Sequence, residues 1–284
     1  MNPLHYRLLN VFTSGDDPFS GNPLCVFEDA DGLPDDVMQA LARQFNLSET
    51  TFVTPSEPEP GVTATVRVFT PSIELPFAGH PTLGTAHVVR DICDAGDDIL
   101  LRMAAADVPV AAVGDRWTLR AKQPAVRDAG VSREDVARMV GLPPSALAAD
   151  PMWVDTGVEQ LLLPLHSAHD VRSARADPAL LERFAMGSMA EALVYLWAPV
   201  DEETVEARLF FTQDGAVVED PATGSACANL GAWFHARGDR AIRRRVRQGA
   251  AVRRPSVLDL EVDQDGAIFV AGTVRELGRG TIRI

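Results

Sequence analysis

The chain has 284 residues, 46% of them hydrophobic, which is enough for two domains of about 140 residues, each with its own core. A net charge of −14 and a pI near 4.8 speak against nucleic acid or an anionic membrane as partner, because phosphate binding needs a basic face. Cys25, Cys93 and Cys227 are odd in number and form no Cys-x-x-Cys pair, and no apolar run approaches the roughly 18 residues of a membrane span, so a reducing, cytoplasmic setting without disulfides or membrane contact is expected.

In chain order, Tyr6 to Phe12 reads as a strand, and Phe19-Ser20-Gly21-Asn22-Pro23 as a bend into a second strand that ends at Phe27. Pro34-Asp35-Asp36 opens an amphipathic helix through Val37, Leu41 and Phe45 that stops near Asn46. Thr50 to Thr54 has strand composition, with Glu49 at its entrance. Thr63 to Thr70 leads into Leu75-Pro76-Phe77-Ala78-Gly79-His80-Pro81-Thr82-Leu83-Gly84-Thr85-Ala86, a strand, turn and helix start. Ile99 to Met103, Val108 to Val113 and Trp117 to Ala121 complete the first half.

Ser132-Arg133-Glu134-Asp135 begins a capped helix to Val140. Met152 to Asp155 and Glu159 to Leu165 read as strands, Asp177 to Ala185 as a helix, and Ala192 to Trp197 and Glu206 to Phe211 as strands entering Asp220-Pro221-Ala222-Thr223-Gly224-Ser225-Ala226. Strands follow near Val246, from Val257 to Val262 and from Ala267 to Val274. Gly280 to Ile284 alternates like an edge strand that returns to the first domain. The expected domains are therefore residues 1–122 with 277–284, and residues 123–276. Lys122, the sole lysine, marks the junction. The run from Arg240 to Arg254 holds seven Arg and reads as a solvated strand face in preference to an anion patch.

The two helix starts are copies of one pattern. His80 aligns with Asp220, Pro81 with Pro221, Gly84 with Gly224, Thr85 with Ser225 and Ala86 with Ala226, at an offset of 140 residues; Arg67-Val68-Phe69 has its counterpart in Arg208-Leu209-Phe210. A duplicated α/β (α+β) unit follows, each copy a mixed sheet or barrel wrapped around a central helix whose small and apolar residues cover most faces. Pro81 and Pro221 read as first helical residues and Asp220 as an N-cap. If both helix N-termini face one cleft, their N–H groups and dipoles suit a small carboxylate there. His166-x-x-His169 lacks further ligands, His87 and His235 have no catalytic context, and no Gly-x-Gly-x-x-Gly opens the first helix. No metal, flavin, nicotinamide or pyridoxal phosphate is expected.

Five stretches carry more than pattern: Phe19-Ser20-Gly21-Asn22-Pro23, Asn46-Leu47-Ser48-Glu49-Thr50, Glu74 to Thr82, Glu219 to Ala226, and Gln248-Gly249 followed by Arg254-Pro255-Ser256. In that order and spacing the chain closely resembles the PhzF-like (phenazine biosynthesis) family, a relative of diaminopimelate epimerase in fold. The resemblance implies a cofactor-independent isomerase that shifts a proton on a small carboxylate substrate bound between the two domains, and a homodimer. It puts the family's acid/base glutamate on Glu49, its substrate-contacting His on His80, its Asp on Asp220 and a substrate-site serine on Ser225, with Asn22, Gly79 and Gly224 completing the binding set. Gly79, and a position near Asp220, are where related epimerases carry catalytic thiols, so two-thiol chemistry is not expected, and Cys227 reads as core packing. Leu47 and Phe52 are expected to give Glu49 an apolar setting that lifts its pKa. The competing reading is a non-catalytic binder or structural homodimer that keeps the fold. Glu49 separates the two, because a binder of anions gains nothing from a carboxylate.

Overall fold

Parallel strand pairs need a crossover long enough to hold a helix, and among the described residues each of two units makes such pairs, Asn22–Phe27 with Glu49–Pro55 and Ala64–Phe69 with Asp98–Arg102 in the first and their counterparts in the second. The computed structural model describes residues 3–55, 61–188 and 191–284. The first unit holds the chain up to Arg120 together with Ala271–Ile284, and the second holds Ala121–Val270.

In the first unit β1 (Leu4–Val11) pairs antiparallel with β2 (Asn22–Phe27), and β2 runs parallel to β3 (Glu49–Pro55) across helix α1 (Asp35–Phe45). Then β3 pairs antiparallel with β4 (Ala64–Phe69), which takes β5 (Glu74–Leu75) as a short hairpin partner. Helix α2 (Gly79–Ile92) crosses from there to β6 (Asp98–Arg102), parallel to β4, and β7 (Asp107–Val113) and β8 (Arg116–Arg120) follow as a meander. Helix α2 is buried on nearly every face from His80 to Val89. A Cβ at Gly84 would stand 2.5 Å from Leu24 and 2.9 Å from Val11, so only glycine lets the strands come this close. Helix α1 packs outside, on an aromatic layer in which Phe27 and Phe52, register partners on β2 and β3, stack at 4.9 Å.

The second unit starts with β9 (Ala125–Asp128), α3 (Arg133–Met139), β10 (Met152–Asp155) and β11 (Glu159–Pro164). It continues through α4 (Ala168–Ser173), α5 (Pro178–Phe184), β12 (Leu193–Pro199), β13 (Thr204–Gln213), β14 (Ala216–Asp220), α6 (Gly224–Ala236), β15 (Ile242–Gln248) and β16 (Ser256–Val262). From β10 to β16 the pairings run antiparallel, parallel, antiparallel, hairpin, parallel, antiparallel, in the order found from β1 to β7. The last strand, β17 (Ile268–Ile282), pairs with β8 and then antiparallel with β1, and so closes the first unit's strands into a barrel around α2.

The aligned arginines show the duplication at the level of side chains. Arg67 on β4 holds Glu74 on β5 in a fork at 2.7 and 2.7 Å, and Arg208 on β13 holds Glu219 on β14 at 3.1 and 2.6 Å. Each guanidinium also lies over a phenylalanine two residues on, Phe69 at 5.1 Å and Phe210 at 4.5 Å. In the second copy the pair is buried. There Arg208 also donates to the carbonyls of Val171, Arg172 and Ala174, which tethers the end of α4.

Several expectations need correction. Pro81 is the third residue of α2, and Pro221 lies before α6, which starts only at Gly224; both positions are free of helical N–H bonding demands, so composition could not separate them. Asp220 caps no helix. It ends β14, and the amide of Gln248 binds its carbonyl at 2.9 Å and Thr223 Oγ1 at 2.9 Å, which keeps Pro221 to Thr223 out of the helix. Gly280 to Ile284 is no separate edge strand, since β17 runs unbroken to Ile282 and the return to the first unit begins at Ala271. The short elements β5, β9, β14 and α4 have too little periodicity for the sequence to mark them. The arginine run is an outer strand face: Arg243, Arg245 and Arg247 are exposed on β15, and Arg243 bonds Glu261 across the pair at 3.1 Å. Among the described residues no helix is long and apolar enough to cross a membrane.

Tyr195 on β12 is fully buried, and its hydroxyl has no hydrogen-bond partner among the described residues. An unpaired buried hydroxyl costs about 1–3 kcal/mol, so Tyr195→Phe is expected to stabilise the protein by about 1 kcal/mol in a thermal or urea melt. A lower melting point for the variant would show that the hydroxyl is satisfied after all.

Candidate active site

Helix α1 ends where Asn46 takes a left-handed φ of 52°, and three residues later the chain enters β3 at Glu49. Thr50 to Val53 are buried on both faces of β3, so its first residue is where a carboxylate can sit partly in solvent; the Glu49 side chain is 17% exposed. Strand alternation sets Glu49 with Thr51, whose Oγ1 lies 2.8 Å from Thr85 Oγ1 of α2, while Phe52 points the other way, into the layer under α1 with Leu47. The apolar setting expected from Leu47 and Phe52 is therefore on the wrong face. Glu49 has His80 of α2 as its neighbour, with Nδ1 3.3 Å from Oε2.

His80 is 5% exposed, and burial pushes its pKa down to about 3, against a smaller upward pull from its hydrogen bond to the Pro23 backbone. The ring is neutral across ordinary pH. A neutral imidazole leaves a facing carboxylate its basicity, whereas an imidazolium would form an ion pair with it and weaken it as a base. Asn22 is fully buried at the start of β2, beside β3, and Ser48 Oγ donates to its Oδ1 at 3.3 Å. Gly21 makes the bend before it: φ is +81°, and a Cβ would lie 2.5 Å from the Val11 carbonyl. Because β2 and β3 are parallel, Asn22, Glu49, Gly79 and His80 gather at one end of the first unit.

The second unit assembles the other predicted residues. Thr223 Oγ1 donates to Asp220 Oδ2 at 2.5 Å, and Gly224 and Ser225 open α6. Neither α2 nor α6 has a side-chain N-cap bond, so their first-turn N–H groups are not taken up by their own caps. Gly249 has φ +79°, and a Cβ there would collide with the backbone oxygens of Arg254 and Pro221, which explains the glycine after Gln248. Reading the sequence alone missed Thr223 and Gln248 as partners of Asp220, and missed Gln160, Asn229 and Thr156 behind Ser225. Thr223, inside the second motif, and Gln248, next to an obligatory glycine, carried a signal; Gln160, Asn229 and Thr156 carried none. Cys227 is in the core, where burial pushes its thiol pKa up, as fits core packing. No group of three or more His, Cys, Asp or Glu stands at metal-binding distance among the described residues.

A partly exposed carboxylate beside a neutral imidazole, at the uncapped start of α2, is equipment suited to moving protons with side chains, and comparison with known proteins places this duplicated fold among isomerases. The chain belongs to the phenazine biosynthesis-like protein family, whose model matches residues 9–275. It is 38% identical, over 99% of its length and 95% of the relative's, to an uncharacterized isomerase of Pasteurella multocida. It is also 32% identical, over 98% and 99%, to trans-2,3-dihydro-3-hydroxyanthranilate isomerase of Pseudomonas chlororaphis. The fold matches that of the PhzF-family phenazine biosynthesis protein of Bacillus anthracis with a TM-score of 0.86 over the whole of both chains, at 23% identity.

Proposed function

We propose that this isomerase acts without a cofactor on a small substrate bearing a carboxylate, and that Glu49 is the group that moves the proton. The observation that carries the reading is the Glu49 carboxylate 3.3 Å from an imidazole kept neutral by burial. The carboxylate takes a hydrogen from a substrate carbon and returns it to another; a carboxyl group passes a proton in either direction without other chemistry. His80 stands 3.3 Å from Glu49 and meets the polar groups of the substrate. It does so as a neutral ring, so it brings no charge that would quench the base. Asp220, fixed by Thr223, contacts the substrate's proton-bearing groups, and Asn22, Gly79, Gly224 and Ser225 orient it, the open N–H groups of α6 taking the carboxylate.

The test is conversion in deuterium oxide. Trans-2,3-dihydro-3-hydroxyanthranilate, the compound in the names of relatives 32% identical to this chain, heads a panel of cyclic and amino-acid carboxylates. The purified protein is expected to isomerise at least one of them, to put deuterium on the carbon that receives the proton, and to keep its rate in the presence of a chelator. A panel with neither conversion nor exchange would favour the non-catalytic reading.

A further inference from the structure

Ser225 is the second residue of α6, and its hydroxyl has one hydrogen-bond partner among the described residues: Nε2 of Gln160 on β11, which donates to Oγ at 3.0 Å. Behind that amide stands a chain of side chains hidden from solvent, with Gln160 1% and Asn229 0% exposed. Its direction is set at one point. The Val158 carbonyl can only accept, so Asn229 must turn its NH2 to it, at 2.9 Å. The same NH2 gives its other hydrogen to Oε1 of Gln160 at 2.8 Å, and Thr156 Oγ1 donates to the remaining Asn229 Oδ1 at 2.7 Å. Gln160 then has only its own NH2 to offer Ser225. An amide orientation that is often ambiguous is here fixed by a backbone carbonyl that cannot be reversed.

A serine hydroxyl left to itself can serve a ligand as donor or as acceptor. One whose oxygen already accepts from a buried amide keeps its proton and a single lone pair, and the amide sets the direction in which that proton points. We infer that Gln160 and Asn229 are positioning residues that orient Ser225 as a hydrogen-bond donor, and that the group it receives at the uncapped start of α6 is an ionised carboxylate. The inference rests on the proposed reading in which Ser225 faces the substrate. A network whose only task was to satisfy buried amides could close on itself; this one ends on a partly exposed hydroxyl at the start of a helix.

The experiment measures calorimetric affinity of the full chain for 3-hydroxyanthranilate, the aromatic counterpart of the relatives' substrate, between pH 8 and pH 5. Ser225→Ala and Gln160→Glu are each expected to weaken binding about tenfold, equivalent to about 1.4 kcal/mol, and the double variant is expected to bind no more weakly than either alone. In Gln160→Glu the introduced carboxylate accepts from Ser225 and draws its proton inward. Protonating that carboxyl restores a donor, so affinity should recover toward the parent value as pH falls, a response that a loosened fold would not give. Gln160→Met, with similar volume and neither hydrogen bond, serves if the Glu variant does not fold; about a threefold loss, absent when Ser225 is already Ala, is expected. The inference is overturned if Ser225→Ala weakens binding while Gln160→Glu binds like the parent at every pH, or if the effects multiply. It also falls if Ser225→Ala binds like the parent, but the isomerase reading then stands or falls separately on whether deuterium exchange occurs and whether Glu49→Gln stops it.

Discussion

Glu49→Gln is expected to lower substrate proton exchange by about 10²–10⁴-fold, the usual contribution of a positioned general base, while ligand affinity stays within a few-fold of the parent. Gln keeps the length of the side chain and a carbonyl oxygen that His80 can meet at the observed 3.3 Å, so the pocket is retained and only the ability to take a proton is lost. The position is local to the strand entrance, and the buried run from Thr50 to Val53 that anchors β3 is untouched. Deuterium uptake from solvent, followed by mass spectrometry beside a calorimetric binding curve, separates the two outcomes. Exchange at the parent rate would move the base elsewhere, with Asp220 the next candidate. Because His80 stays neutral down to about pH 3, no limb of the rate profile near the ordinary histidine pKa of about 6.5 should trace to it.

Acid should destabilise this fold through His80. In the unfolded chain the ring takes up a proton as pH falls through about 6.5, whereas in the folded chain burial holds protonation back to about pH 3. Between those values the unfolded state binds the extra proton, so stability falls as pH falls, by about 1.4 kcal/mol per pH unit where the difference is complete. Above pH 6.5 the group has no effect, and below pH 3 the loss is constant. Urea melts at pH 7.0 and 4.5 are expected to show roughly 2–3 kcal/mol more acid loss in the parent than in His80→Asn, which keeps a polar side chain but does not titrate. His87, also pushed down by burial, acts in the same direction in both proteins and cancels in the comparison. Equal slopes for parent and variant would mean that the folded state takes up the proton, and His80 would then be charged beside Glu49.

What the sequence determined by itself was whatever depends on neighbours along the chain. The duplicated motif, the enclosed character of the two central helices, the α1 boundaries and Glu49 at the entrance of β3 were all legible, because periodicity, turn chemistry and caps act within a few residues. The tertiary structure decided matters of register and distance. Leu47 and Phe52 looked like neighbours of Glu49, yet alternation along β3 and the packing of α1 put them in another layer and left Glu49 facing His80, 31 residues away. The aligned prolines looked equivalent, yet Gln248, 27 residues beyond Pro221, holds that copy out of its helix. Gln160 and Asn229 stand 65 and 4 residues from Ser225, and no local pattern distinguishes them from amides that merely fill a core. A buried side chain's partner is set by which strands pair and in what register. That is a property of the closed barrel and its packed helix, and a linear motif does not contain it.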